Sequence, residues 1–99
     1  MKRIINGKKY DTETALCRAE YQRNYINDHN YLKEELYEKL NGEFFLAGKG
    51  GGNTKYCKSD GNTRCAGEKI IPLSHEEAKA WMEEYVNEDY EAIFGDVEE

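Results

Sequence analysis

Three cysteines, Cys17, Cys57 and Cys65, and two histidines, His29 and His75, are the side chains of this 99-residue chain best suited to nucleophilic or metal chemistry. A structural zinc ion takes four ligands, commonly as C-x2-4-C or H-x3-5-H pairs. Neither spacing occurs here. Cys57 and Cys65 flank the polar stretch Lys58-Ser59-Asp60-Gly61-Asn62-Thr63-Arg64 and could face each other across a hairpin, as a redox clip or half a zinc site. The odd cysteine count and the absence of an apolar leader in MKRIINGKKY favour free thiols, no metal and a cytoplasmic location. A Cys17 nucleophile paired with His29 or His75 would need a basic neighbour and partial exposure, and no spacing brings these residues together. His29 reads as a loop residue and His75 as an exposed residue of a first helical turn. Gly48-Lys49-Gly50-Gly51-Gly52-Asn53-Thr54-Lys55 invites comparison with a phosphate loop. It lacks the Gly-Lys-Ser/Thr ending and the helix start that must follow. It reads as a hairpin tip. The chain thus carries no enzyme signature and implies no cofactor.

Charge says more. The chain has 14 basic and 20 acidic residues, a net charge of -6. The charge is unevenly placed: +3 over residues 1–33, zero over 34–73, and -9 over 74–99. A solvated helix face accounts for an acidic segment of this kind. The sharper reading is a surface that docks on a basic protein groove. Glu76, Glu83, Glu84, Glu88, Asp89 and Glu91 are the candidate contacts. Tyr25 and Tyr56, with Tyr21 and Tyr31, join them if exposed, since tyrosine offers contact area at low entropic cost; otherwise they belong to the core. Direct binding to duplex DNA is disfavoured by the lack of Lys and Arg in this half.

These residues must be positioned by a thin core. Leu, Ile, Val and Phe number only 17 in 99, offset by eight Tyr and one Trp. No apolar run approaches the roughly 20 residues of a membrane span. Asn6-Gly7 between Arg3-Ile4-Ile5 and Lys8-Lys9-Tyr10 predicts a hairpin, because both central positions of its turn need positive φ. Asp11 or Thr12 predicts a helix start, running to about Arg23. The Asn- and Asp-rich residues 24–31 read as a loop. Residues 31–49 are ambiguous. Leu32, Leu36 and Leu40 recur at a helical spacing, while Asn41-Gly42 before Phe44-Phe45-Leu46 signals a second hairpin. As a strand, this stretch would put Leu32, Glu34 and Leu36 on one face. The glycine-rich residues 48–68 suggest a mobile loop with a short strand near Lys55-Tyr56-Cys57. Lys69-Ile70-Ile71 suggests a strand closed by Pro72. Ser74 and Glu77 form a capping box before Ala78, Trp81, Met82 and Tyr85, one helical face with Trp81 at the centre of the core. A second short helix is expected from about Asp89, with Tyr90, Ile93 and Phe94 on one face and Gly95 as its stop. Residues 1–95 are expected to form one domain, and 96–99 a flexible acidic tail.

The order Arg3-Ile4-Ile5-Asn6-Gly7-Lys8, Tyr10-Asp11-Thr12-Glu13-Thr14-Ala15, Glu35-Leu36-Tyr37, Phe45-Leu46, Ile71-Pro72-Leu73 and Glu77-Ala78 with Trp81 resembles a family of small proteins from mobile elements of Gram-positive bacteria, some of which look like anti-CRISPR proteins. The resemblance implies an α+β fold and tips residues 31–48 toward a β-hairpin. The expected architecture is a small antiparallel sheet of two hairpins and a short strand, with one N-terminal and two C-terminal helices on one face. The implied function is a non-enzymatic inhibitor of a host CRISPR nuclease, acting on the protein or its guide RNA. The alternative is a structural or regulatory accessory protein of a mobile element, acting as a homodimeric interaction module.

Overall fold

The computed structural model describes residues 1–98; Glu99, the end of the expected tail, lies outside them. The chain is a small α+β fold of antiparallel sheets and two helices. Its strands are β1 (Lys2–Ile5), β2 (Lys8–Asp11), β3 (Leu16–Arg23), β4 (Leu32–Glu38), β5 (Phe44–Gly50), β6 (Lys58–Asp60), β7 (Thr63–Cys65) and β8 (Gly67–Leu73). Two helices follow, α1 (His75–Tyr85) and α2 (Tyr90–Phe94), joined by a 3-10 turn at Asn87–Asp89. The main sheet has the order β3-β4-β5-β8, while β1-β2 and β6-β7 are separate two-stranded hairpins.

The Asn6-Gly7 hairpin forms as its turn chemistry requires, with φ of 52° and 78° at the two residues. The helix expected over residues 12–23 does not form. The capping signal is spent on one turn, in which the Glu13 N–H donates to Asp11 Oδ1 (2.9 Å) and the Ala15 N–H to the Asp11 carbonyl (3.1 Å). Leu16–Arg23 then pairs with β4, with a bulge between Cys17 and Ala19. An isolated helix this short is marginal, so pairing over the strand's length overrides local propensity. The same contest is settled for residues 32–38, which are a strand. A spacing of four is also an even number, so Leu32 and Leu36 share a sheet face as readily as a helix face.

Layers cover the main sheet on both sides. On one face Leu36, Phe44 and Leu46 pack against Ala78, Trp81, Met82 and Val86. On the other, Phe45, Ala47 and Ile70 pack against Tyr10, with Ile5, Ala15 and Tyr37 around them. Tyr10 meets Phe45 edge-on at 5.5 Å and Tyr37 stacks on the same ring at 5.3 Å. This explains the unbroken apolar run Phe44-Phe45-Leu46-Ala47, since a strand covered on both faces has no polar side. The hairpin β1-β2 is further latched where Lys8 Nζ meets Glu43 (2.9 Å) and Lys39 Nζ lies 3.7 Å from the Tyr10 ring centre.

The capping box at α1 is complete. The Glu77 N–H donates to Ser74 Oγ (3.1 Å), and the Ser74 N–H donates to Glu77 Oε1 (2.9 Å). Trp81 lies in the core, as its helical spacing predicts. Gly95, with φ of 87°, ends α2 and donates to the Glu91 carbonyl (3.0 Å). β8 does not stop at Pro72 but runs through it. It is the edge strand, where a missing N–H is tolerated. The expected mobile loop over 48–68 is also replaced by structure. β5 extends to Gly50, the Gly51 N–H donates to the Tyr31 carbonyl (2.8 Å), and the Asn53 N–H donates to the His29 carbonyl (2.8 Å). The expected strand near Lys55-Tyr56-Cys57 is a turn, and the β6-β7 hairpin follows it.

Phe45 is fully enclosed between the sheet and the β1-β2 hairpin. Phe45→Ala should therefore cost about 3–5 kcal/mol in urea unfolding and expose the N-terminal hairpin to limited proteolysis. A loss below about 1 kcal/mol would show that the hairpin does not pack there.

Candidate functional site

The most concentrated polar chemistry in the molecule is a single carboxylate buried under the helical layer. Glu34 sits in β4 between Leu32 and Leu36, on the face that α1 covers, and is 1% exposed. Tyr56 Oη donates to Glu34 Oε2 at 2.5 Å, and Trp81 Nε1 donates to Oε1 at 3.0 Å. Lys55 Nζ makes an ion pair with Oε2 at 2.7 Å. Burial works against the ionised carboxylate, but the bonds from Lys55, Tyr56 and Trp81 outweigh it and hold its pKa below the usual range. Burial and the neighbouring Glu34 charge push the Tyr56 phenol well up, so it stays protonated and donating. Both carboxylate oxygens are committed, to three donors from two other parts of the chain, so the arrangement is an anchor between the sheet, α1 and the glycine-rich segment.

Glycines make room for this anchor. The Tyr56 ring lies where a Cβ on Gly48 would sit, and the Tyr56 carbonyl lies against the Cα of Gly67. Tyr56 is 2% exposed, which removes it from the candidate partner contacts and makes it a core residue. Tyr31 is also buried, and Tyr21 is half-buried against Tyr85, ring centres 4.6 Å apart. Tyr25 is the exception, 83% exposed.

The acidic candidates are placed differently. Glu76, Glu83, Glu84, Glu88, Asp89 and Glu91 are all exposed on α1, the 3-10 turn and α2. Their helices pack on one face of the main sheet, while Lys2, Arg3, Lys8 and Lys9 lie on the β1-β2 hairpin, which covers the other. The charge asymmetry of the sequence is thus also an asymmetry between layers.

The cysteines and histidines form no cluster. Among the described residues, no group of three or more His, Cys, Asp or Glu side chains could hold a metal ion. Cys57 and Cys65 do flank the β6-β7 hairpin, but Cys65 pairs with Lys58, which places Cys57 one residue out of register. Cys57 precedes β6 and lies outside the paired strands, and both thiols are free. Arg64 Nη2 instead donates to Cys57 Sγ at 3.2 Å. Cys17 is exposed on β3, its thiol pushed up by burial of its inner side and by Glu35. His29 lines an open cleft of about 620 Å³ beside Gly51, Gly52, Cys65 and Ala66. His75 is exposed in the first turn of α1, edge-on to Phe44 at 5.1 Å. No helix among the described residues is long and apolar enough to cross a membrane.

Compared with known proteins, the chain matches no family model, no curated protein and no solved structure. Its chemistry must be read from its own residues.

Glu34 and Glu43 both have depressed pKa values in the folded chain. Glu43 is held down to about 2, chiefly by its bond from Lys8, then by those from Asn41 and Lys39. A carboxylate with a lowered folded pKa contributes stability that is present above its unfolded pKa and is lost as pH falls through the folded one. Acid titration of unfolding should therefore show a falling limb from about pH 4.5 toward about 2. Glu34→Gln should flatten part of that limb and cost about 1–3 kcal/mol near neutral pH, because the amide keeps one acceptor oxygen where the carboxylate offers two and so leaves a buried donor unpaired, while the half-exposed Lys55 returns to water. An unchanged acid limb in Glu34→Gln would contradict this role.

Proposed function

We propose that the protein is a non-enzymatic inhibitor of a host defence system, in the cytoplasm of the host bacterial cell. It docks its acidic helical layer on the basic groove of an RNA-guided nuclease. The observation that carries this reading is the layer itself. Glu76, Glu83, Glu84, Glu88, Asp89 and Glu91 are exposed, and no ion pair among the described residues involves any of them. Lys79, the one cation of residues 74–99, has its Nζ 5.9 Å from the Phe94 ring centre.

A surface of one sign repels itself, and a cationic partner relieves that cost. A nuclease groove built to hold polyphosphate is such a partner, and a row of carboxylates competes for the same Lys and Arg side chains. The basic β1-β2 hairpin lies on the opposite side of the sheet, so the charge separation orients the approach. Electrostatic complementarity of this kind governs association rate more than final affinity, which ties the inhibition to ionic strength. The resemblance to proteins of Gram-positive mobile elements supports the choice of target.

The test adds purified protein to several RNA-guided nucleases, before and after guide loading, and follows DNA cleavage. Cleavage should fall, the effect should weaken as salt rises, and charge reversal at Glu83, Glu84 and Glu88 together should restore cutting. Inhibition only before guide loading would move the contact to the guide RNA or its binding site. Absence of inhibition in either order, across nuclease types, would sink the proposal.

A further inference from the structure

The turn between β3 and β4 displays an exposed aromatic side chain beside an open cleft. Tyr25 is 83% and Ile26 68% exposed. They are raised between Asn24 and Asn27, whose φ values of 60° and 82° lie in the left-handed region. The turn is tied down from behind. The Asp28 N–H donates to the Tyr25 carbonyl (3.0 Å), the Asn30 N–H to Asp28 Oδ1 (2.7 Å), and Asn53 Nδ2 to Asn30 Oδ1 (3.1 Å). The apolar pair is therefore presented on a braced turn, which lowers the ordering cost of any contact it makes.

The cleft beside it, about 620 Å³, is walled by Ile26, Gly51, Gly52, Cys65 and Ala66. That volume falls in the range of sites that bury a small ligand, and it admits the two side chains of one tip. Two acids, Asp28 and Glu68, and two bases, Lys49 and Arg64, also line it. None of the four is in an ion pair among the described residues. An apolar knob, an apolar socket and a rim of both signs lie side by side on one surface. A two-fold axis brings the same patch of two molecules together, so a patch must complement itself to form such a contact. A rim that carries both signs, Asp28 and Glu68 with Lys49 and Arg64, meets that condition on charge. The acidic helical layer, having one sign, does not.

We propose that two copies of this chain associate through this end of the molecule, the Tyr25–Ile26 tip of each seated in the other's cleft. The contact is independent of the nuclease reading and is testable with the purified chain alone. Sedimentation equilibrium of the full chain from low micromolar to millimolar concentration should show twice the chain mass at the upper end. Tyr25→Ser truncates the knob at a residue outside the cleft wall, and Ala66→Glu blocks the socket. Both positions are exposed, so circular dichroism and the unfolding midpoint should be unchanged. Each variant should weaken association at least about tenfold, the scale expected for an anchor residue, whereas Glu84→Gln should not. A wild-type chain that stays monomeric throughout overturns the proposal. So does a dimer indifferent to both variants, which would place the contact elsewhere, for example on the open edge of β3.

Discussion

One buried carboxylate organises this molecule. Glu34 belongs to the sheet, yet its partners come from elsewhere: Trp81 from α1, and Lys55 and Tyr56 from the segment after β5. A charge this far from water is tolerated only when its lone pairs are used, and the cost of leaving it unpaired is several kcal/mol. The carboxylate therefore selects the arrangement in which all three donors converge. Hydrophobic contact alone does not select so narrowly, because apolar packing tolerates sliding and repacking. The helical layer is fixed over the sheet by Trp81, and the glycine-rich segment is drawn down by Tyr56. The acidic side of the helices and the β3–β4 tip are left facing solvent, as is the basic β1-β2 hairpin on the other side of the sheet.

How much of this is legible in the chain depends on how local the signal is. The Asn6-Gly7 turn, the Ser74–Glu77 capping box and the Ala78/Trp81/Met82 face are readable because each is decided within a few residues. The fates of residues 12–23 and 31–40 are not, since strand pairing with a distant segment overrides helical propensity. Leu32 and Leu36 are spaced for either structure. Glu34 reads as one more solvated acid. The one hint to its role is its place between Leu32 and Leu36 on a period-two face, an acid among apolar neighbours. The purpose of Gly48 and Gly67 is equally hidden. They look like a flexible loop's glycines, but they are sites of close approach to Tyr56, whose acceptor Glu34 lies 22 positions away in the chain. Tyr25 and Tyr56 have the same residue type and opposite fates, because only Tyr56 has a buried acceptor to reach.

The acidic candidates were legible because charge on a helix face opposite a buried Trp-Met stripe needs no tertiary information to be exposed. The structure adds their separation from the basic hairpin by the full thickness of the sheet. Electrostatics and apolar display are thereby kept on different surfaces, a single-sign layer suited to a cationic partner and a mixed-sign, knob-and-socket end suited to a second copy.

The central claim is that Glu34 couples α1 to the glycine-rich segment. A double-mutant cycle tests it directly, with Tyr56→Phe and Trp81→Phe made singly and together and unfolding free energies measured in urea. Both changes remove a donor to the same carboxylate from opposite sides. If that carboxylate is the hub, the two losses should be non-additive by about 0.5–3 kcal/mol. Losses that add within about 0.3–0.5 kcal/mol would mean the two donors act independently, and would contradict the account.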